Sequence, residues 1–324
     1  MKNLQERMRD VFLEQIYNRM HDDDRLFIVT ADFGSPVLDK LRKDFTERIV
    51  NVGIAEQNLI NISTGLALEG YIVYAYAIIP FLTMRAYEQI RNNLSLLAQI
   101  KEMNINLIGV GAGLSYDLSG PSHCALEDIC IMRTLPNICI FSPSDSVLTK
   151  TFINYSIENK RPKYMRLDGK PMPDIYKDEK MLGINKGFSK LAEGKEVCMV
   201  STGFMTHTAL KVANRLMKEG VNIGLIDVFM IKPMDESMLF EELSKYSCVV
   251  TLEEAFINKG GLDSLIASIL GNNKSGIILK RMGFGDKYVF DIGSRDYLHK
   301  LNGLDDDTII KTIKEELLQK QDEG

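Results

Sequence analysis

Apolar and polar positions follow two rhythms along the chain, and the switches between them mark short buried runs separated by longer amphipathic stretches. Residues 4–20 set Leu4, Met8, Val11, Phe12, Ile16 and Met20 on one face of a helix, with charges elsewhere. The runs LFIVTAD (26–32), RIVNVGI (48–54), YIVYAYAII (71–79), NINLIGVGAG (104–113), ICIFSPSD (138–145) and PKYMRL (162–167) are apolar without alternation, as strands covered on both faces are. Helices are predicted between them: one opening near Glu56, a long one from Phe81 to about Ile100, one over 124–136 and one over 146–160.

From Asp168 to Lys186 the pattern breaks into a polar, proline-bearing stretch, after which the alternation resumes. Strands are expected at 196–203, 222–230, 248–255 and 276–283. Helices are expected over 207–220, after the KPMD at 232–235, over 262–270 behind the Gly260–Gly261 pair, and over 307–320. This rhythm predicts an α/β chain of two doubly wound, mostly parallel sheets, divided into a domain at 1–172, a linker at 173–185 and a second domain at 186–324.

Ligands of such sheets bind beyond the carboxyl ends of the strands, where Asp32, Glu56, the glycine-rich loop after residue 109 and Arg166 all fall. Glu56 stands out as the one ionisable group among small and apolar neighbours from Val52 to Leu68. Two readings compete: a carboxylate at a helix start that accepts backbone N–H groups, or a desolvated acid that holds or shares a proton with a partner. His123 follows Gly-Pro-Ser at a strand's C-terminal edge, where an imidazole serves either proton transfer or a helix cap. Phe81, just past Pro80, is either core or a stacking platform for a flat ligand. His207 opens a helix of the second domain and reads as structural.

Composition narrows the function classes. The 324 residues carry a net charge of −5 with basic and acidic groups interspersed, so no basic stripe suits nucleic acid. No run reaches the ~18 apolar residues of a membrane span, and the charged N-terminus lacks a signal-peptide core, so a cytoplasmic, non-membrane protein is expected. Five cysteines without C-x-x-C spacing read as buried free thiols. Walker, H-E-x-x-H and G-x-S-x-G motifs are absent, and GVGAG (109–113) lacks the spacing of a dinucleotide loop.

Several segments, in matching order from end to end, resemble the transketolase family of thiamine-diphosphate enzymes. They are TADFGS (30–35), NVGIAEQN (51–58) with Arg48 ahead of it, PFLTMRAYEQIR (80–91), GPSHCALEDICIMRTLPNICIFSPSD (120–145), STGFMTHTALKVANRL (201–216), DVFMIKPMD (227–235) and EEAFINKGGL (253–262). The chain looks like the C-terminal subunit of a split transketolase, a pyrimidine-binding domain followed by the C-terminal domain. The resemblance implies that Glu56 shares a proton with N1′ of the cofactor's aminopyrimidine, promoting the imino tautomer whose exocyclic nitrogen removes the thiazolium C2 proton. It also implies that Phe81 stacks on the pyrimidine, with Ile54, Ile78 and Met84 completing an apolar cofactor pocket. Ile78 and Met84 stand where the family often has aromatics.

His123 matches a histidine that contacts substrate hydroxyls, Arg9 and Arg166 match arginines that grip sugar phosphates, and Asp32 and Ser119 are further implied substrate contacts. The family's G-D-G motif and later Asn, which hold magnesium and the diphosphate, have no counterpart here; FGDK (284–287) is not such a motif. The resemblance therefore implies that an N-terminal transketolase subunit supplies Mg2+ and the diphosphate site, in an α2β2 hetero-oligomer. Gly111 stands in place of a phosphate-binding histidine, and SYDLSG (115–120) replaces V-G-E-D-G, so a modified ketose rather than the ordinary sugar phosphates is expected. The alternatives are a decarboxylating relative, either deoxyxylulose-phosphate synthase-like or a 2-oxo acid dehydrogenase beta subunit, and a non-catalytic partner subunit. Ala55-Glu56-Gln57 weighs against the dehydrogenase, and joint retention of Glu56, Phe81 and His123 weighs against a scaffold.

Overall fold

The computed structural model describes residues 6–178 and 182–322. Residues 4 and 5 of the expected first helix and 179–181 of the expected linker lie outside that range. Twelve strands occur among the described residues: β1 Leu26–Thr30, β2 Ile49–Asn51, β3 Ile72–Ile78, β4 Asn104–Val110, β5 Cys139–Phe141, β6 Lys163–Leu167, β7 Phe188–Ala192, β8 Val197–Ser201, β9 Gly224–Val228, β10 Met230–Lys232, β11 Cys248–Phe256 and β12 Ile278–Phe284. They form a seven-stranded sheet in the order β10-β5-β6-β4-β3-β1-β2 and a five-stranded sheet in the order β12-β11-β8-β9-β7. All pairings are parallel except β10 with β5 and β7 with β9.

Buried side chains cover both faces of both sheets, as continuous apolar strands require. One face of the larger sheet packs against helices Met8–Met20, Pro36–Asp44 and Ser146–Glu158 through Phe12, Leu38, Phe152 and their neighbours. Its other face holds Leu59, Ile60, Leu82 and Ile90, and this cluster runs on without a break into Ile231, Leu262 and Ile266 beside the smaller sheet. The two halves thus share one core.

Several local features differ from the elements expected from the pattern. Residues 222–230 read as one strand, but the chain turns at Phe229: β9 stays in the second sheet while β10 crosses to extend the first. Phe229 and Met230 N–H both donate to Gly187 O at 3.1 and 2.9 Å, and Phe229 O accepts from Ser142 N at 2.7 Å. An unbroken apolar run gives no sign of that turn. β7 has no forerunner in the pattern, because an antiparallel edge strand is only half-buried and KGFSKLAEG has no apolar run. The helix predicted from Phe81 to Ile100 is instead wound in π-helical turns at Phe81–Arg85 and Ile90–Leu96, around one α turn at Tyr87–Gln89 and before a tight turn at Leu97–Gln99. Wide turns of this kind concentrate at functional sites. The helix expected over 124–136 starts only at Asp128, and an additional one, Arg295–Leu301, is capped by Ser294 Oγ accepting from Tyr297 N at 3.3 Å.

Candidate active site

Strands β1, β2 and β3 end side by side, and the chain leaving each carries a candidate group. After β1 comes Asp32, exposed and in the left-handed region at φ 50°. Asn51, at the end of β2, holds this corner: its Oδ1 accepts from the N–H of Asp32 and of Gly53, each at 3.0 Å, and its amide donates to Asp32 Oδ1 at 3.2 Å. Gly53, at φ 72°, turns the chain into helix Glu56–Leu68, whose Leu59, Ile60, Ser63, Thr64 and Ala67 face inward. That packing buries Glu56 to 3% exposure at the helix's first position.

The Glu56 carboxylate accepts from Arg85 Nη1 at 2.5 Å, and the same guanidinium sits over the Phe81 ring, its Cζ 4.8 Å from the centroid. Phe81 in turn meets the His123 imidazole edge-on at 5.2 Å. Glu56, Phe81 and His123 are therefore linked through contacts that cross three separate elements, although they lie far apart in sequence. His123 Nδ1 pairs with Ser122 Oγ at 3.1 Å, an arrangement that leaves its Nε2 free of that contact. Along the segments that carry these groups, Ile54, two residues before Glu56, is 76% exposed, Met84, next to Arg85, and Leu118, in the chain leading to His123, are also exposed, and Ile78 is half-buried.

The loop bearing His123 is anchored from the other half of the molecule. Glu254, at the end of β11, accepts from Leu114 N at 3.2 Å, from Arg295 Nη2 at 3.2 Å and from His299 Nε2 at 2.7 Å. Burial pushes its carboxyl up, but Arg295, His299 and the Leu114 amide outweigh this and hold it at about 2. Gly113 is needed here, since a Cβ would lie within 1.9 Å of Glu254 Oε2. Further along, Tyr116 lies against Gly111 and Gly169: at Gly111, with φ 100°, a Cβ would stand 2.5 Å from the Tyr116 ring. Tyr116 thus fills the room into which a side chain at 111 would project. Ser119 is exposed at the tip of the same loop.

The two arginines differ in setting. Arg9 is half-buried at the first helix and pairs with Asp10 at 2.9 Å. Arg166 is 4% exposed and makes a two-pronged pair with Asp128, Nε to Oδ2 at 2.8 Å and Nη2 to Oδ1 at 3.0 Å, with Tyr164 donating to the same carboxylate at 2.6 Å. Its fork is engaged inside the chain rather than turned outward to a phosphate. His207 is buried, with Nε2 2.6 Å from Ser144 O. The five cysteines are present as thiols; Cys130 is half-buried and the others buried.

Sequence reasoning did not single out Arg85, Asn51, Tyr116 or Glu254. Arg85 had a usable signal, since it stands four residues after Phe81 and so shares its helical face. The others are defined by distant partners. Chemically, the cluster offers a buried carboxylate with one half-exposed cationic partner, a ring face, an imidazole and exposed apolar side chains. That set fits the aminopyrimidine end of thiamine diphosphate: a flat heterocycle with ring nitrogens to face a carboxyl and a π surface to stack.

Comparison with known proteins agrees. Residues 5–171 match the model of the transketolase pyrimidine binding domain, and residues 188–309 that of the transketolase C-terminal domain. An apulose-4-phosphate transketolase subunit of Actinobacillus succinogenes is 32% identical over 94% of this chain and 96% of its own length. The 6-deoxy-6-sulfo-D-fructose transketolase subunit SqwH of a Clostridium species is 29% identical over 95% of this chain and 94% of its own. A solved split gene transketolase, an inactive beta4 tetramer, superposes with a TM-score of 0.85 at 29% identity, covering 95% of this chain and 97% of that one. Together with the two-sheet α/β architecture, these matches establish that the chain belongs to the transketolase family and carries its pyrimidine-binding and C-terminal domains.

Proposed function

We propose that the chain is the pyrimidine-side subunit of a split, thiamine-diphosphate-dependent transketolase, moving a two-carbon ketol unit from a ketose to an aldose. The observation that carries this reading is the junction of Glu56, Phe81 and His123 at adjoining strand ends, beside exposed apolar Ile54, Met84 and Leu118. Apolar surface of this kind at a functional edge marks a place where ligand or protein is to be seated. Glu56 would hold a proton toward a ring nitrogen of the aminopyrimidine, Phe81 would offer a stacking face, and Ile54, Ile78 and Met84 would exclude water around it. His123 would donate to substrate oxygens, Arg9 would supply positive charge for the sugar's phosphate, and Asp32 and Ser119 would meet its hydroxyls. Arg166 stays with Asp128. Thiamine diphosphate, when bound, supplies the acidic thiazolium carbon that takes up and releases the ketol unit.

The diphosphate and Mg2+ fall to a partner, an N-terminal transketolase subunit, in an α2β2 assembly. What supports this reading is the sequence itself, which carries no counterpart of the family's G-D-G motif and later Asn. A cytoplasmic setting goes with this role; among the described residues no helix is long and apolar enough to cross a membrane. The sugar is a modified ketose: Tyr116 occupies the space beside Gly111, and the relatives named above are called transketolases of apulose 4-phosphate and of a sulfofructose.

The test is reconstitution with an N-terminal transketolase subunit, followed by a ketol-transfer assay against a panel of modified and ordinary sugars. Ketol transfer by the pair and little by the chain alone is expected. Robust turnover by the chain alone removes the shared-site reading, and full activity on xylulose 5-phosphate with ribose 5-phosphate removes the modified-ketose reading.

A further inference from the structure

Arg85 lies where the proposed cofactor ring would be expected to lie. Its guanidinium is flat, donates to Glu56 Oε2 at 2.5 Å and rests over Phe81 with Cζ 4.8 Å from the ring centroid. Those are the two contacts assigned above to the aminopyrimidine: a donor toward the Glu56 carboxyl and a flat body on the Phe81 face. A guanidinium is suited to both, because its planar fork pairs with carboxylates and its faces stack on aromatic rings. Glu56 is 3% exposed, whereas Arg85 is 46% exposed at its side chain, so the cation has an open way out and the carboxylate does not. Phe81 and Arg85 lie on the same π-helical turn, Phe81–Arg85, which sets them on one face.

We propose that Arg85 is a built-in stand-in for the cofactor's aminopyrimidine, occupying its place on Glu56 and Phe81 in the unloaded chain and leaving when thiamine diphosphate enters. The inference rests on the thiamine-diphosphate reading of this site. Its physical purpose is clear from burial: a carboxylate enclosed without a partner is costly, and before the cofactor arrives Arg85 removes that cost. Loading is then an exchange of one flat donor for another, and the energy of the Glu56–Arg85 pair is subtracted from cofactor affinity.

The test uses Arg85→Met, which keeps length and apolar reach, Arg85→Lys, which keeps charge without the planar fork, and Glu56→Gln. In the chain alone, Arg85→Met is expected to lower Tm by about 2–4 °C and to lose most of that effect in the Glu56→Gln background, where no buried charge remains to be compensated. An equal loss in both backgrounds overturns the pairing role. In the complex with its diphosphate-binding partner, thiamine diphosphate with Mg2+ should bind Arg85→Met about tenfold tighter, and Arg85→Lys between the two. Weaker binding by Arg85→Met would mean that the guanidinium stays and helps hold the cofactor, and the proposal fails; if Arg85→Met does not fold, tighter or weaker binding by Arg85→Lys decides the same point. A structure of the loaded complex should show Arg85 out of hydrogen-bond reach of Glu56. If wild-type complex binds no thiamine diphosphate, the functional reading itself falls, an outcome distinct from normal binding that the Arg85 variants leave unchanged, which overturns the stand-in role alone.

Discussion

Two buried carboxylates, Glu56 and Glu254, both lie near the carboxyl ends of parallel strands of an α/β sheet, yet their surroundings make them different objects. Glu254 is enclosed by donors that belong to the fold: Arg295, His299 and the Leu114 amide. Asp227 is of the same kind, accepting from Ser144, from Tyr176 at 2.8 Å and from Thr206 at 2.8 Å, and so tying the two halves and the segment between them together. Glu253 accepts from the N–H of Leu262 and Asp263 at 2.7 and 2.8 Å, at the start of helix Leu262–Asn272. Glu56 is buried as deeply but paired with a half-exposed arginine on a surface rimmed by apolar side chains. Burial alone does not mark a reactive acid. What separates the classes is whether the partners are fixed by the core or can be exchanged for a ligand.

The largest expected effect separates them by activity. Glu56→Gln should lower kcat of the reconstituted enzyme by about 10²–10⁴-fold while the chain stays folded; unchanged turnover would place Glu56 with the structural carboxylates and favour the scaffold reading. Asp128→Ala should do the reverse, destabilising the chain by about 3–5 kcal/mol in denaturant unfolding, because Arg166 would be left charged and buried without its partner.

The pH dependence of stability should show opposite slopes from the structural acids. Burial raises the Asp227 carboxyl from 3.8 to about 7, and the hydroxyls around it do not offset this fully. The folded state therefore binds more protons than the unfolded one between those values, and stability should fall as pH rises through that window. Glu253, also raised to about 7 by burial, adds the same slope. Glu254, held at about 2 against an ordinary 4.5, contributes stability that is complete above pH 4.5 and is lost as pH falls toward 2. Urea titrations across pH should find the upper slope reduced in Asp227→Asn and the acid limb reduced in Glu254→Gln.

Gly111→His should cost about 1–3 kcal/mol and displace Tyr116, since L residues rarely adopt φ 100° and the new Cβ has no room. Thermal unfolding reads the cost, and a sugar panel reads the expected change of preference. Phe81→Leu should give the smallest change, weakening thiamine diphosphate binding about 2–10-fold through lost ring stacking, as measured by titration of the complex.

How much of this was legible in the chain varies element by element. The buried strands β1, β3, β4 and β6 announced themselves as unbroken apolar runs, because a strand covered on both faces has no polar alternative. Glu56 announced itself by contrast with its neighbours. β7 and β10 did not, because an edge strand needs no apolar run and the break at Phe229 follows from where Gly187 and Ser142 come to lie. The same limit hid Arg85's pair with Glu56, 29 residues away in sequence, and Glu254's hold on the loop of His123, 140 residues away at Leu114.

By itself the sequence determined the alternation, and with it an α/β chain of two largely parallel sheets, as well as the motifs that place it in its family. Local pattern suffices there, since hydrophobic period and turn residues act over a few positions. Only the tertiary structure decided that the two sheets share a core and that the second half lends β10 to the first sheet, that Arg166 turns inward to Asp128, and that Tyr116 fills the space at Gly111. It also decided how Glu56 is partnered. Partners of a buried charge are chosen by proximity in space, and that proximity exists only after the strands have been ordered.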